Sequence, residues 1–176
     1  MPKIIENVRE TLILEARKQI ETVGYAGVTV RSIASACGVG VGTVYNYFKS
    51  KDMLVATCIL EDWSKAIGAI NDYSIKATNP EEIFRCIYTE LKTFIQLQKA
   101  IFEDAEAIKV FNGAFSERHK MLRGQLAEPI KTVCNNANID MGDGFMADFI
   151  AESILTWTVA GRSYEDISVL LLKLLK

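Results

Sequence analysis

Apolar residues recur along this chain at steps of three and four, which is the spacing of amphipathic helices. The first such stretch, residues 4–24, has one apolar face, formed by Ile5, Val8, Leu12, Ala16, Ile20 and Val23. Gly24 closes the stretch and favours the end of the helix. Because no strand-like alternation extends over more than a few residues, the pattern predicts an all-α fold.

Turn and capping residues divide the remaining sequence into further helices. Thr29 is predicted to cap a short helix over residues 30–37, and another short helix follows over residues 41–47. Ser50 is predicted to begin a longer helix over residues 51–70. The helices predicted after these cover residues 80–97, 99–111, 116–136, 145–160 and 164–176.

Several residues mark the limits of the later helices. Asn79 and Pro80 form a strong helix start, because they supply a capping side chain and a proline at the first helical position. Ser116 and Ser163 are predicted to open the helices that follow them. Pro129 lies inside a predicted helix and is expected to kink it.

The two short helices have the features of a helix-turn-helix motif. Gly38 allows a tight turn between them. The apolar residues expected to hold the two helices together are Ile33, Ala34, Val39, Val44 and Phe48. Residues 29–51 are therefore predicted to bind DNA, and the alternative is a helical hairpin without a DNA partner.

The second short helix carries small and polar residues that suit DNA. Asn46 is the side chain best suited to a base edge, and Thr43 suits a phosphate or a thymine methyl group. Gly42 would allow close approach to DNA, whereas Tyr45 and Tyr47 offer hydroxyl groups to phosphates. Tyr45 has packing as its alternative role. The full set predicted to contact DNA is Thr29, Arg31, Gly42, Thr43, Tyr45, Asn46, Tyr47, Lys49 and Lys51.

The same segment resembles the TetR family of transcriptional regulators over roughly residues 8–55. The resemblance rests on Gly24-Tyr25, Thr29-Val30, Ile33-Ala34, Cys37-Gly38-Val39, Gly42-Thr43-Val44-Tyr45 and Tyr47-Phe48-Lys49-Ser50-Lys51. Two residues depart from the family pattern. Gly40 replaces a common serine or threonine cap, and Val41 replaces a common polar or basic residue, which removes one possible contact to DNA.

The resemblance implies a fold of about nine helices with an N-terminal DNA-binding head. The implied boundaries are a helix-turn-helix domain over residues 1–51 and a ligand-binding and dimerisation domain over residues 52–176. It also implies a homodimeric repressor on a palindromic double-stranded DNA operator, released by a small-molecule effector.

Charge distribution agrees with an anionic partner at one end of the chain. Residues 1–51 contain seven basic and four acidic side chains, whereas the remaining residues contain 13 basic and 18 acidic ones. The overall formal charge of −2 conceals this difference. A basic head on an acidic body favours DNA binding, although an asymmetry of this size also arises by chance.

The last two helices are apolar on more than one side, which predicts self-association. The residues expected at the dimer interface are Phe149, Ile150, Trp157, Ile167, Leu170, Leu171 and Leu174. The alternatives are a core helix or a membrane helix, and Asp148 and Glu152 argue against the membrane.

Aromatic residues in the middle of the chain are candidates for a ligand pocket. The set comprises Trp63, Phe84, Tyr88, Phe94, Phe102, Phe111 and Phe115. Plain hydrophobic core is the alternative for each of them. An apolar pocket of this kind favours an apolar or aromatic effector.

The sequence offers no enzyme constellation, metal site or cofactor motif. His119 is the only histidine, and the cysteines Cys37, Cys58, Cys86 and Cys134 are scattered. Because neither a signal segment nor a long apolar run is present, a cytoplasmic protein is expected. The remaining alternatives are a thiol-based redox sensor on the same scaffold and a helical interaction module without DNA.

Overall fold

The computed structural model describes residues 7–175, apart from the side chains of residues 112–118. The regular elements of these residues are helices, as the apolar pattern predicted. They are α1 (Val8–Gly27), α2 (Val30–Ala36), α3 (Val41–Tyr47), α4 (Lys51–Ser74), α5 (Pro80–Leu97), α6 (Lys99–Phe102), α7 (Ala105–Asn136), α8 (Phe145–Val159) and α9 (Tyr164–Leu171). No helix within the described residues has both the length and the apolar character needed to cross a membrane.

The helix caps predicted at Thr29, Ser50 and Ser163 are present. The Thr29 hydroxyl accepts a hydrogen bond from Ser32 N at 3.0 Å, and the Ser32 hydroxyl accepts one from Thr29 N at 3.2 Å. The Ser50 hydroxyl likewise accepts a hydrogen bond from Met53 N at 3.1 Å, and the Ser163 hydroxyl accepts one from Asp166 N at 3.2 Å. These bonds satisfy amides that a helix start leaves without a partner.

The first helix extends beyond the predicted end. Gly24 has a φ of 71° and interrupts the regular helix, but the chain makes a further turn to Gly27. Tyr25 lies in that turn and is completely buried. The break at Gly24 is therefore predicted correctly, whereas the end of α1 is not.

The division between α6 and α7 also differs from the prediction. The break lies at Glu103 and Asp104 instead of between residues 111 and 116, because the Asp104 carboxylate accepts hydrogen bonds from the backbone N–H groups of Glu106 and Ala107. Ser116 accordingly opens no helix, and α7 continues through Pro129.

The described chain forms two compact units. The first contains residues up to Asp62 together with Gln98–Asn112, and the second contains Trp63–Leu97 and the residues from 113 onward. The boundary predicted after residue 51 separates DNA binding from ligand binding and dimerisation, and it remains a prediction. The core of the first unit is formed by Leu12, Ile13, Ala16, Ile20, Tyr25, Val28, Ile33, Ala34, Val44, Phe48, Leu54, Val55, Cys58, Ile101, Ala107 and Phe111.

The second unit has its own apolar core, contributed by α4, α5, α7, α8 and α9. Its central residues include Ile83, Phe84, Ile87, Leu126, Ile130 and Ile150, all fully buried. Two tyrosine hydroxyls bind backbone oxygens within the unit, because Tyr88 donates to the carbonyl of Arg162 at 3.0 Å and Tyr164 to that of Glu81 at 2.9 Å.

A buried polar network joins three segments of the first unit. Arg17 on α1 forms an ion pair with Asp62 on α4, and Gln98 before α6 donates to the same carboxylate at 2.7 Å. Arg17 also donates to the carbonyl oxygen of Cys58 at 3.2 Å. Asp62 is only 9% exposed, so its charge depends on these partners rather than on water.

Candidate nucleic-acid interface

The two helices of the predicted motif pack as expected. Ile33, Ala34 and Val44 are buried between them, and Phe48 is buried directly after α3. Gly38 has a φ of 67°, so it adopts the left-handed conformation that the turn requires. The predicted contacts between α2 and α3 are therefore confirmed, including the packing role of Phe48.

One face of α3 is largely exposed and carries five of the residues predicted to contact DNA. Gly42, Tyr45, Asn46 and Tyr47 are exposed, and Thr43 is half-buried. A Cβ atom placed on Gly42 would meet no heavy atom within 4 Å. Gly42 is thus dispensable for packing and leaves open backbone on the helix surface.

The start of α3 has a backbone cap without a capping side chain. Gly40 has extended backbone angles, with φ −71° and ψ 148°, and no side chain bonds to the first amides of the helix. Its carbonyl oxygen accepts a hydrogen bond from Thr43 N at 2.9 Å. Glycine thus adopts the geometry that serine or threonine supplies elsewhere, at a cost of a few tenths of a kcal/mol.

Basic side chains flank α3 on both sides. Arg31 on α2 and Lys49 after α3 are exposed, and no ion pair holds either of them within the described residues. Thr29 is also exposed, but its hydroxyl oxygen already serves as the α2 cap. Arg31 and Lys49 are therefore the side chains in this set best placed to neutralise phosphates.

Lys51 is held more tightly than the sequence suggested. Its ammonium group donates to the carbonyl oxygen of Tyr25 at 3.2 Å, lies 4.0 Å from the centroid of the Tyr25 ring and 3.6 Å from a carboxylate oxygen of Glu106. The side chain is 19% exposed. A phosphate would have to compete with these internal partners for Lys51.

The start of α7 is hydrogen-bonded to the end of α1, a contact that could not be predicted from the sequence. The Asp104 carboxylate accepts a hydrogen bond from Ala26 N at 3.0 Å as well as capping α7. The Tyr25 ring meets Phe111 edge-on with centroids 5.8 Å apart. The pKa of Tyr25 is raised far above its ordinary value. The main cause is burial, and the second is the hydrogen bond that the Tyr25 hydroxyl donates to Asp52. Asp104 lies in an acidic cluster with Glu103 and Glu106, and only its tertiary partner Ala26 N reveals its role.

The family comparison matches this part of the chain. The model of the tetR family of bacterial regulatory proteins matches residues 12–58, which include α1 from its second turn, both motif helices and the start of α4. Residues 12–58 therefore form a DNA-binding domain of the tetR family. The resemblance stated from the motif residues is thereby confirmed, and DNA binding follows from the domain.

Solved structures share the fold of this chain over nearly its whole length. A transcriptional regulator from Cytophaga hutchinsonii has a TM-score of 0.70 and 17% identity, covering 93% of this chain and 92% of its own. A TetR-family regulator from Mesorhizobium loti has a TM-score of 0.66 and 19% identity, covering 93% and 90%. The fatty acid degradation regulator FadR from Bacillus halodurans has a TM-score of 0.58 and 19% identity, covering 93% and 94%. Curated proteins give no significant match in sequence.

The aromatic residues proposed to form a pocket do not belong to one core. Trp63, Phe84, Tyr88 and Phe94 lie in or against the core of the second unit. Phe102 and Phe111 belong instead with the core of the first unit. They lie on either side of residues 103 and 104, where one helix ends and the next begins. The side chain of Phe115 lies outside the described residues.

The residues predicted for dimerisation lie at two depths of the α8–α9 face. Phe149, Trp157, Leu170 and Leu174 are exposed, whereas Ile150, Ile167 and Leu171 are buried within the chain itself. A groove of about 520 Å³ opens on this face and includes the four exposed residues together with Arg162 and Asp166. Of the three buried residues, Ile167 and Leu171 also line the groove, whereas Ile150 does not.

None of the four cysteines has the environment of a reactive thiol. Burial raises the pKa of the Cys37, Cys86 and Cys134 thiols, and it raises that of Cys58 to about 11. Since the thiolate is the reactive form, each side chain is less reactive than a free cysteine at neutral pH. These shifts oppose the redox-sensing alternative.

At pH 8 we expect a disulfide reagent to modify the folded protein several-fold more slowly than free cysteine, because a raised thiol pKa leaves little thiolate below pH 9. The reaction rate is measured from the absorbance of the coloured thiolate that the reagent releases. The same protein unfolded in guanidinium chloride should react at all four thiols and serves as the control. A single fast thiol in the folded protein would revive the redox-sensing alternative.

Proposed function

We propose that this regulator is a cytoplasmic homodimeric repressor that acts without catalysis. Each subunit inserts α3 into the major groove of a palindromic operator, and a small apolar or aromatic effector releases the DNA. The observation that carries the proposal is the exposed face of α3 in a motif that also contains the exposed cations Arg31 and Lys49. This arrangement combines base contacts with phosphate contacts in one motif.

Exposed apolar surface on α8 and α9 supports the homodimer. Large side chains such as Phe149 and Leu170 are unfavourable in water when they form one continuous surface. A two-fold partner would present the same face and bury both copies of the groove. Two heads related in this way match a palindromic operator.

The effector class follows from the core of the second unit. Its aromatic residues offer apolar surface, while the polar atoms of two of them are already bound. Trp63 donates to Gln125 at 2.7 Å, and Tyr88 donates to a backbone carbonyl at 3.0 Å. An effector that enters this core would therefore gain mostly apolar contacts, which favours an apolar or aromatic molecule.

DNA binding is tested by selecting bound sites from random duplexes and measuring affinity against salt concentration. Affinity should fall steeply with salt, and Lys49→Ala should reduce the slope of log K against log salt by about one for each subunit. Lys65→Ala removes an exposed lysine of the second unit and should leave the slope unchanged. Salt-independent binding, or no enrichment of any sequence, would refute the proposed function.

A further inference from the structure

The exposed face of α3 contains no charged side chain. Its residues are Val41, Gly42, Thr43, Tyr45, Asn46 and Tyr47. Val41 is the apolar residue of this set, and 36% of its surface is exposed. Arg31 and Lys49, the nearest exposed cations of the motif, lie on α2 and after the end of α3.

Base pairs differ in the chemistry that they present in the major groove. Guanine offers two acceptors, which arginine or lysine usually binds, and cytosine offers an amino donor, which carboxylates accept. Within Val41–Tyr47 none of these side chains occurs. Adenine pairs with asparagine through two hydrogen bonds, and the thymine methyl group packs against apolar carbon. Asn46, Thr43 and Val41 supply those two chemistries.

The helical spacing places these groups in neighbouring rows. Val41 and Tyr45 are four residues apart and share one row, and Gly42 and Asn46 share the next. Because Gly42 has no side chain and no neighbour within 4 Å of its Cβ position, the helix surface beside Val41 is bare. A valine beside bare backbone can reach the groove floor, where the methyl groups of thymine lie.

Resting on the proposed function, we propose that α3 reads A·T base pairs and that Val41 packs on the C5-methyl group of one thymine in each half-site. Asn46 binds an adenine, and Arg31 and Lys49 neutralise phosphates. Val41, which departs from the family pattern, is then a specificity-determining residue. At this position an apolar contact to DNA takes the place of the polar contact that a polar or basic residue would make.

The test begins with DNA sites selected from random sequence and continues with substitution of each thymine by deoxyuridine. This substitution removes one methyl group and leaves base pairing intact. In each half-site, substitution at one particular thymine should weaken binding by roughly fourfold, as expected for loss of one buried methyl group. Val41→Ala should bind the thymine and uracil sites equally well.

Asn46→Ala provides the matched control on the same exposed face. It should relax the preference for adenine but keep the sensitivity to uracil, because Val41 is still present. Far-UV circular dichroism should be unchanged in both variants, since both positions are exposed.

The outcomes separate the inference from the proposed function. If no DNA sequence is enriched, the proposed function fails and the inference fails with it. If DNA is bound but the half-sites require G·C pairs, or uracil has no effect, only the inference is overturned. Uracil sensitivity that persists in Val41→Ala also overturns it.

Discussion

Leu170→Glu is expected to produce monomers and to weaken operator binding by about 100-fold. Leu170 is 65% exposed and borders the groove formed with Phe149, Trp157 and Leu174. In a two-fold interface the substitution places a carboxylate in each copy of the same apolar surface, without a compensating charge. Loss of the dimer removes the gain in affinity that two linked heads provide.

Sedimentation velocity and binding to the selected operator measure the two effects. Ile75→Glu is the matched control, because Ile75 is 67% exposed in the second unit and does not line the groove. It should remain dimeric and bind DNA normally. A dimeric Leu170→Glu protein with full operator affinity would show that the α8–α9 face does not form the dimer.

Asp62→Ala is expected to lower the free energy of unfolding by about 3 kcal/mol. The substitution removes the more buried of the two carboxylates that pair with Arg17 and leaves the Gln98 amide without its 2.7 Å acceptor. Removing one partner of a buried pair is costly because the remaining charge has lost its compensation and is still shielded from water.

Urea denaturation followed by circular dichroism measures this change. Asp62→Asn keeps the shape and one oxygen acceptor, so its loss should be smaller. Glu61→Ala is the control for the exposed part of the network: its carboxylate is 33% exposed and 3.3 Å from Arg17, and surface pairs contribute about 0–1 kcal/mol. Equal losses for Asp62→Ala and Glu61→Ala would contradict the role of burial.

The sequence predicted the local structure of the motif well, because the motif is determined by near neighbours. The limits of α3 and α5 agree with the prediction, and Thr29, Ser50 and Ser163 cap the predicted helices. Each of these signals acts over three or four residues. Periodicity and capping chemistry are sufficient at that range.

Contacts between distant segments could not be predicted in the same way. Asp104 is a charged residue in an acidic cluster, and nothing in the sequence indicates that Ala26 N would bind it. Lys51 was expected to face phosphate, but Tyr25 and Glu106 hold it. Phe111 was assigned to a pocket and packs on Tyr25 instead. In each case the deciding partner is at least 26 residues away in the sequence.

The non-contiguous composition of the first unit has a consequence for protein engineering. Its core includes Ile101, Ala107 and Phe111, and its buried Asp62 is satisfied by Gln98. A chimera that joined only the residues up to Asp62 to the body of another regulator would lose these partners, including the Phe111 ring that packs against Tyr25. Transplanting the DNA specificity of this protein therefore requires either moving residues 98–112 along with the head or exchanging only the exposed side chains of α3.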